Sequence, residues 1–157
     1  MTVEIRYAET DDDIIAIHKF LCVVAGPTLP GPIDPRDSVE GVWQAGKHNV
    51  ALMAIRDGML VGTLGIVNPS FWWNNKIKFL ANRWFFTLPG SRSALPLLRE
   101  AKAIAKASGL ELHILDENRG RYLIFNKSAS RKSHNPLISQ TTPAPRTREE
   151  APHVLRQ

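Results

Sequence analysis

At 157 residues the chain has the length of one domain, and its 43% hydrophobic and 22% charged residues are ordinary for a globular protein. No run of about 18 consecutive apolar residues occurs, so no transmembrane helix is expected, and the acidic start "MTVEIRYAETDDD" lacks the apolar core of a signal peptide. The net charge of +5 is uneven: residues 128–157 carry five Lys/Arg against two Glu, which leaves +2 on the first 127 residues, too little for a duplex-binding face.

"TVEIRYA" alternates apolar and polar side chains and predicts a strand with one buried face. A helix follows, with Thr10 as its cap, Asp11 to Asp13 in its first turn, and Ile14, Ile17, Leu21 and Val24 along one side. Gly26 and Pro27 end it. The one cysteine, Cys22, lies in this helical run and reads as a structural thiol. "PTLPGPIDPRD" holds four Pro and is a loop, and "DSVEGVWQAGKHN" predicts a short second helix with Val39, Val42 and Trp43 inward. "VALMAIRDGMLVGTLGIVN" predicts two strands joined at Asp57-Gly58, a tight-hairpin signal. An aromatic loop, "PSFWWNNK", leads to a long strand over about 77–88.

The turn "LPGSRS" then opens a helix over about 93–108 that buries Leu97, Leu98, Ala101, Ile104 and Ala105 and stops at Gly109. "LELHIL" is a further strand, and "ENRGRYLIFNKSAS" predicts a last short helix. The order is β-α-α-β-β-β-α-β-α, an α/β mixed sheet over residues 1–127 with an extended Pro-rich basic tail over 128–157. That tail is expected to be disordered or bound to a partner. The five His are scattered and no Cys/His spacing suits zinc, so no metal site is expected.

The strand-turn-helix around Trp84 to Leu98 is where chemistry could sit. A helix N-terminus presents unpaired N–H groups and a partial positive charge, which suit a pyrophosphate, and small residues allow close approach. Gly90, Ser91, Ser93 and Ala94 are small, and Arg92 adds charge.

Three segments, "IRYAETDDDIIAI", "RWFFTLPGSRSALPLLREAKAIAKASGLEL" and "NRGRYLIFNKSAS", resemble the opening strand and helix, the acyl-CoA motif and the late helix of the GCN5-related N-acetyltransferase (GNAT) family. The form of the second is closest to a phage-encoded branch. The resemblance implies acetyl-CoA as cofactor. It implies that Thr87 offers backbone groups to the pantetheine arm, and that Gly90, Ser91, Arg92, Ser93 and Ala94 face the pyrophosphate. Asn118 matches the Asn of the late helix, Lys127 its basic residue, and Phe125 the place of a Tyr near the thiol. Where the family has Gly-x-Gly-x-Gly/Ala after the Arg, this chain has Ser-Ala-Leu-Pro-Leu. Leu95 and Pro96 therefore reduce the cradle, and Phe125 has no proton to donate.

Two readings follow. One is an acyl-CoA-dependent N-acyltransferase acting on an amine in the cytoplasm of a bacterial host. The other is an inert domain of the same fold that serves as an assembly component of a phage particle, with its tail as a tether to other chains or to a polyanion; an oligomer is compatible with either reading. No membrane partner is expected. The carboxylates Glu40, Glu111 and Asp116 carry no context that marks a general base, so the catalytic residues are left unassigned.

Overall fold

The computed structural model describes residues 2–116 and 119–127. Strand β1 (Glu4–Tyr7) is followed by helices α1 (Asp11–Val24) and α2 (Pro35–His48), which are separated by a 3-10 turn at Gly26–Thr28. Strands β2 (Val50–Arg56), β3 (Met59–Val67) and β4 (Leu80–Thr87) come next, then α3 (Ala94–Ser108), β5 (Leu112–Asp116) and β6 (Arg121–Phe125). The six strands form one sheet in chain order, antiparallel throughout except for β4 and β5.

Alternation sorts the side chains to two cores. Leu52, Leu64, Leu80, Leu112 and Ile114 face α3, where Leu97, Ala101 and Ala105 meet them. Ala51, Met53, Trp84 and Phe86 face the other way, against Ile14 and Ile17 of α1 and Val42 and Ala45 of α2. Each α-helix thus buries one apolar stripe on its own side of a sheet whose central strands are covered on both faces. A hydrogen bond from the Tyr7 hydroxyl to Glu100 Oε1 at 2.7 Å ties β1 to α3. Burial and that carboxylate together push the Tyr7 phenol up to about 12.

Local chemistry sets the element ends. Thr10 and Asp13 form a capping box at the start of α1. Asp57 and Gly58 sit at φ 52° and 74°, as a two-residue type I′ hairpin needs. The second helix begins earlier than its apolar pattern suggests, because Asp34 caps it and Pro35 fits the first turn.

Two expectations are corrected. Val42 and Ala45 are buried on α2, whereas Val39 and Trp43 stay substantially exposed. The helix packs on α1 through its small residues: a Cβ on Gly46 would lie 2.4 Å from Ile14 Cδ1. The last helix is instead strand β6. Gly120 turns the chain at φ 58°, and the run from Tyr122 to Phe125, of residues that favour strands, pairs antiparallel along the free edge of β5. Phe125 and Lys127 therefore do not share a late helix, and Asn118 and the tail from 128 onward lie outside the described residues. Among the described residues no helix is long and apolar enough to cross a membrane.

Candidate active site

The sheet opens between its two parallel strands. Strand β4 pairs with β5 only at Leu80↔Leu112 and Ala81↔His113, although β4 continues to Thr87 and β5 to Asp116. Beyond that point the Asn82 side chain stands in for a strand neighbour. Its amide donates to Leu115 O at 2.9 Å and its carbonyl accepts from Leu115 N at 2.8 Å. The clamp holds the strands at a defined opening. Pairing of β4 with β3 runs Gly65↔Trp84 and then Ile66↔Asn82, so Arg83 is the extra residue of a β-bulge that bends β4 at the split.

Past the bulge β4 keeps β3 on one side only. Leu88 N donates to Val61 O at 2.8 Å, so strand alternation turns the backbone groups of Phe85 and Thr87 away from β3, toward the gap. This leaves an open backbone edge that an extended, amide-bearing chain can pair with.

The edge runs directly into the turn before α3. Ser91 N donates to Leu88 O at 3.1 Å around Pro89-Gly90, with Gly90 at φ 71°, where a type II turn favours glycine. Arg92 follows at φ 57°, exposed, and Arg56 Nη1 braces the turn through Ser91 O at 3.2 Å. Ser91 and Ser93 are buried, and their hydroxyls bond each other at 2.7 Å. Ser93 Oγ also donates to Val61 O, and Ser93 N donates to Ser91 Oγ at 3.3 Å. These two residues therefore hold the turn in shape, and their N–H groups are engaged. Among the described residues Gly90, Arg92, Ala94 and Leu95 have no acceptor for theirs, and Pro96 has none to offer. The exposed Leu95 side chain points away from the packed turn. Helix α3 has no side-chain cap and no acidic residue in its first turn.

Gly62 fixes how closely this helix start sits on the sheet. A Cβ there would lie 2.6 Å from Ser93 Oγ and 3.0 Å from Thr87 Cγ2. Phe125 lies apart from the turn, in β6, half-buried on the α3 side with the Lys102 ammonium 5.1 Å above its ring.

On the opposite face a cavity of about 600 Å³ opens at the split, bounded by Asn82 and Leu115 themselves. Leu21, Val42, Trp84 and Phe86 give it an apolar wall, and Arg83, Asp34 and Asp37 add charge. Trp84 is anchored by its indole N–H to Thr63 Oγ1 at 3.1 Å. Of the aromatic residues singled out in the sequence, Trp84, Phe85 and Phe86 line this cavity. In the loop before β4, Phe71 stacks on Trp73, and Trp72 meets Trp73 edge to face.

Three carboxylates considered as bases are engaged elsewhere. Glu40 accepts from Gln44, Asp116 pairs with Arg119 and Arg121, and Glu111 pairs with His113 at 3.0 Å. His113 also bonds the Tyr122 hydroxyl, so a Glu-His-Tyr chain pins β5 to β6 beside Phe79. Arg83 and Asn82 escaped sequence reading, since a bulge and a clamp to a residue 33 positions away leave no local pattern.

No protein-family model matches the sequence, and no curated protein does. Solved structures do. A GNAT family acetyltransferase of Staphylococcus aureus aligns at 19% identity over 82% of this chain and 96% of its own, with a TM-score of 0.56. The fold is that of the GNAT acetyltransferases. An aminoglycoside antibiotic 6′-N-acetyltransferase of Acinetobacter baumannii aligns at 14% identity over 81% of this chain and 98% of its own, with a TM-score of 0.58. A protein of Clostridium acetobutylicum described as a predicted acetyltransferase, solved with acetyl-CoA, aligns at 17% identity over 76% of this chain and 84% of its own, with a TM-score of 0.57. At such identities the likeness is one of fold, and within the GNAT fold any activity rests on this chain's own residues.

Proposed function

We propose that the protein is an acyl-CoA-dependent N-acyltransferase that uses acetyl-CoA to acylate an amine. The observation that carries this reading is the open backbone edge at Phe85 and Thr87 leading straight into an uncapped helix start. An arm with amide groups suits the edge, and a pyrophosphate suits the free N–H groups of Gly90, Arg92, Ala94 and Leu95, with the Arg92 guanidinium beside them. When bound, acetyl-CoA supplies an acyl group activated as a thioester. The split near Arg83 would place that group against the cavity, where the apolar wall of Leu21, Val42 and Phe86 excludes water from it.

Titration of acetyl-CoA into the full chain by calorimetry tests the reading. The wild type is expected to bind, and Arg92→Glu to weaken binding at least about tenfold through lost attraction and added repulsion. No heat with the wild type at high micromolar ligand overturns it. That result would favour an inert assembly role, for which the engagement of the Ser91 and Ser93 N–H groups within the turn is the specific support.

A further inference from the structure

The cavity at the split holds an arginine without a counter-ion. Arg83 is the extra residue of the β4 bulge, and its exposed side chain lies against α2 at Gly41. A Cβ at Gly41 would touch Nη2 at 3.5 Å and Nε at 3.6 Å, so the guanidinium lies with that edge toward α2 where the helix has no side chain. The neighbouring acids do not neutralise it. Asp34 Oδ1 accepts the N–H groups of Arg36 and Asp37, and Asp37 lies one turn up the same helix. Among the described residues no carboxylate comes within 4.0 Å of Arg83, and no hydrogen bond fixes its head.

We propose that the acceptor is an amine that carries a carboxylate close to it and an apolar body, and that Arg83 holds the carboxylate. The proposal rests on the acyltransferase reading and adds the class of acceptor to it. A planar guanidinium matches a carboxylate with two parallel hydrogen bonds, and it does so best where apolar walls thin out competing water. Leu21, Val42, Trp84 and Phe86 supply such walls, and about 600 Å³ is ample for an amino-acid-sized molecule. Asp34 and Asp37 on the α2 wall favour the approach of its ammonium group. Arg83 adjoins Asn82 at the mouth of the split, so an acceptor anchored there presents its nitrogen beside the parted strands. The nitrogen bonds to the acyl carbon as the carbon–sulfur bond breaks. Of the two protons that the ammonium loses, one leaves on the thiol and one goes to water.

The test pairs L-phenylalanine and L-leucine with their amides as acceptors and follows thiol release from acetyl-CoA. In the wild type the free acids are expected to exceed the amides at least tenfold in kcat/KM. Arg83→Ala should abolish that preference, and Arg83→Glu should reverse it. A second readout needs no turnover: calorimetric binding of N-acetyl-L-phenylalanine against its amide, in both the wild type and Arg83→Ala. A preference for the acid that Arg83→Ala removes supports the assignment even in a chain that fails to bind CoA, which separates its fate from that of the acyltransferase reading. Equal use and equal binding of acid and amide by a CoA-binding wild type overturn it, and so does a preference that survives Arg83→Ala.

Discussion

Helices α1 and α2 start with carboxylates turned onto their own backbone, and α3 starts with none. At α1, Asp13 accepts the N–H groups of Glu9 and Thr10, and at α2, Asp34 accepts those of Arg36 and Asp37. At α3 the first turn holds no acid, Ser93 makes no cap, and Arg56 and Arg92 add positive charge nearby. A helix start left uncapped exposes its N–H groups and the positive end of its dipole. The first two helices thus carry their own cap and their own negative charge at the start. The third leaves its first N–H groups open to solvent or to an outside anion, and it lies at the end of the β4 edge that opens at the split.

The largest expected effect comes from disturbing how α3 is seated. Gly62→Val places a branched side chain within 2.6 Å of Ser93 Oγ, 3.0 Å of Thr87 Cγ2 and 3.2 Å of Leu97 Cδ1. Overpacking of this kind costs about 1–3 kcal/mol, readable as a lower midpoint in urea. Acetyl-CoA affinity should fall with it, because the same residues frame the turn. Unchanged stability would show that the close seating of α3 is not required.

A smaller effect turns the third helix start into the likeness of the other two. Leu95 is 57% exposed in the first turn, so Leu95→Asp adds a carboxylate there without opening a core. The helix should gain about 0.3–1 kcal/mol from its dipole. Acetyl-CoA affinity should drop about tenfold, since the carboxylate occupies the field that the pyrophosphate needs. Stability that rises while affinity falls is the signature of a start reserved for an anion. Undiminished affinity in calorimetry would break the comparison and place the ligand elsewhere.

Much of this was legible in the sequence where the physics is local. Thr10 and the Asp run declare the cap of α1, Asp57-Gly58 declares its hairpin, and the Leu/Ala spacing declares the buried stripe of α3. Reading failed where distant residues decide. Residues 121–125 are strand-favouring by type, but it is the unpaired edge of β5 that makes them a strand. Trp43 ranks as apolar, yet α2 presents Val42 and Ala45 because its small residues let α1 come close. The Arg83 bulge exists only in the register of β4 on β3, and Asn82 becomes a clamp only once Leu115 is beside it.

The smallest effect checks that the α1 start is closed by its own charge. Burial raises the Asp13 carboxyl, but hydrogen bonds from Glu9, Thr10 N and the Thr10 hydroxyl, with Arg6 nearby, outweigh it and hold the group below its ordinary 3.8. A carboxyl depressed on folding takes up its proton more readily in the unfolded chain. Its stabilisation is therefore complete above the unfolded value, near pH 4, and is lost as pH falls through the lower folded value. Asp13→Asn should cost on the order of 1 kcal/mol near neutrality. The gap between variant and wild type in urea denaturation should close as pH falls below about 4. A gap that stays constant down to pH 2 would mean that shape, and not charge, closes this helix. The contrast with α3, where charge is left for a ligand to bring, would then lose its electrostatic basis.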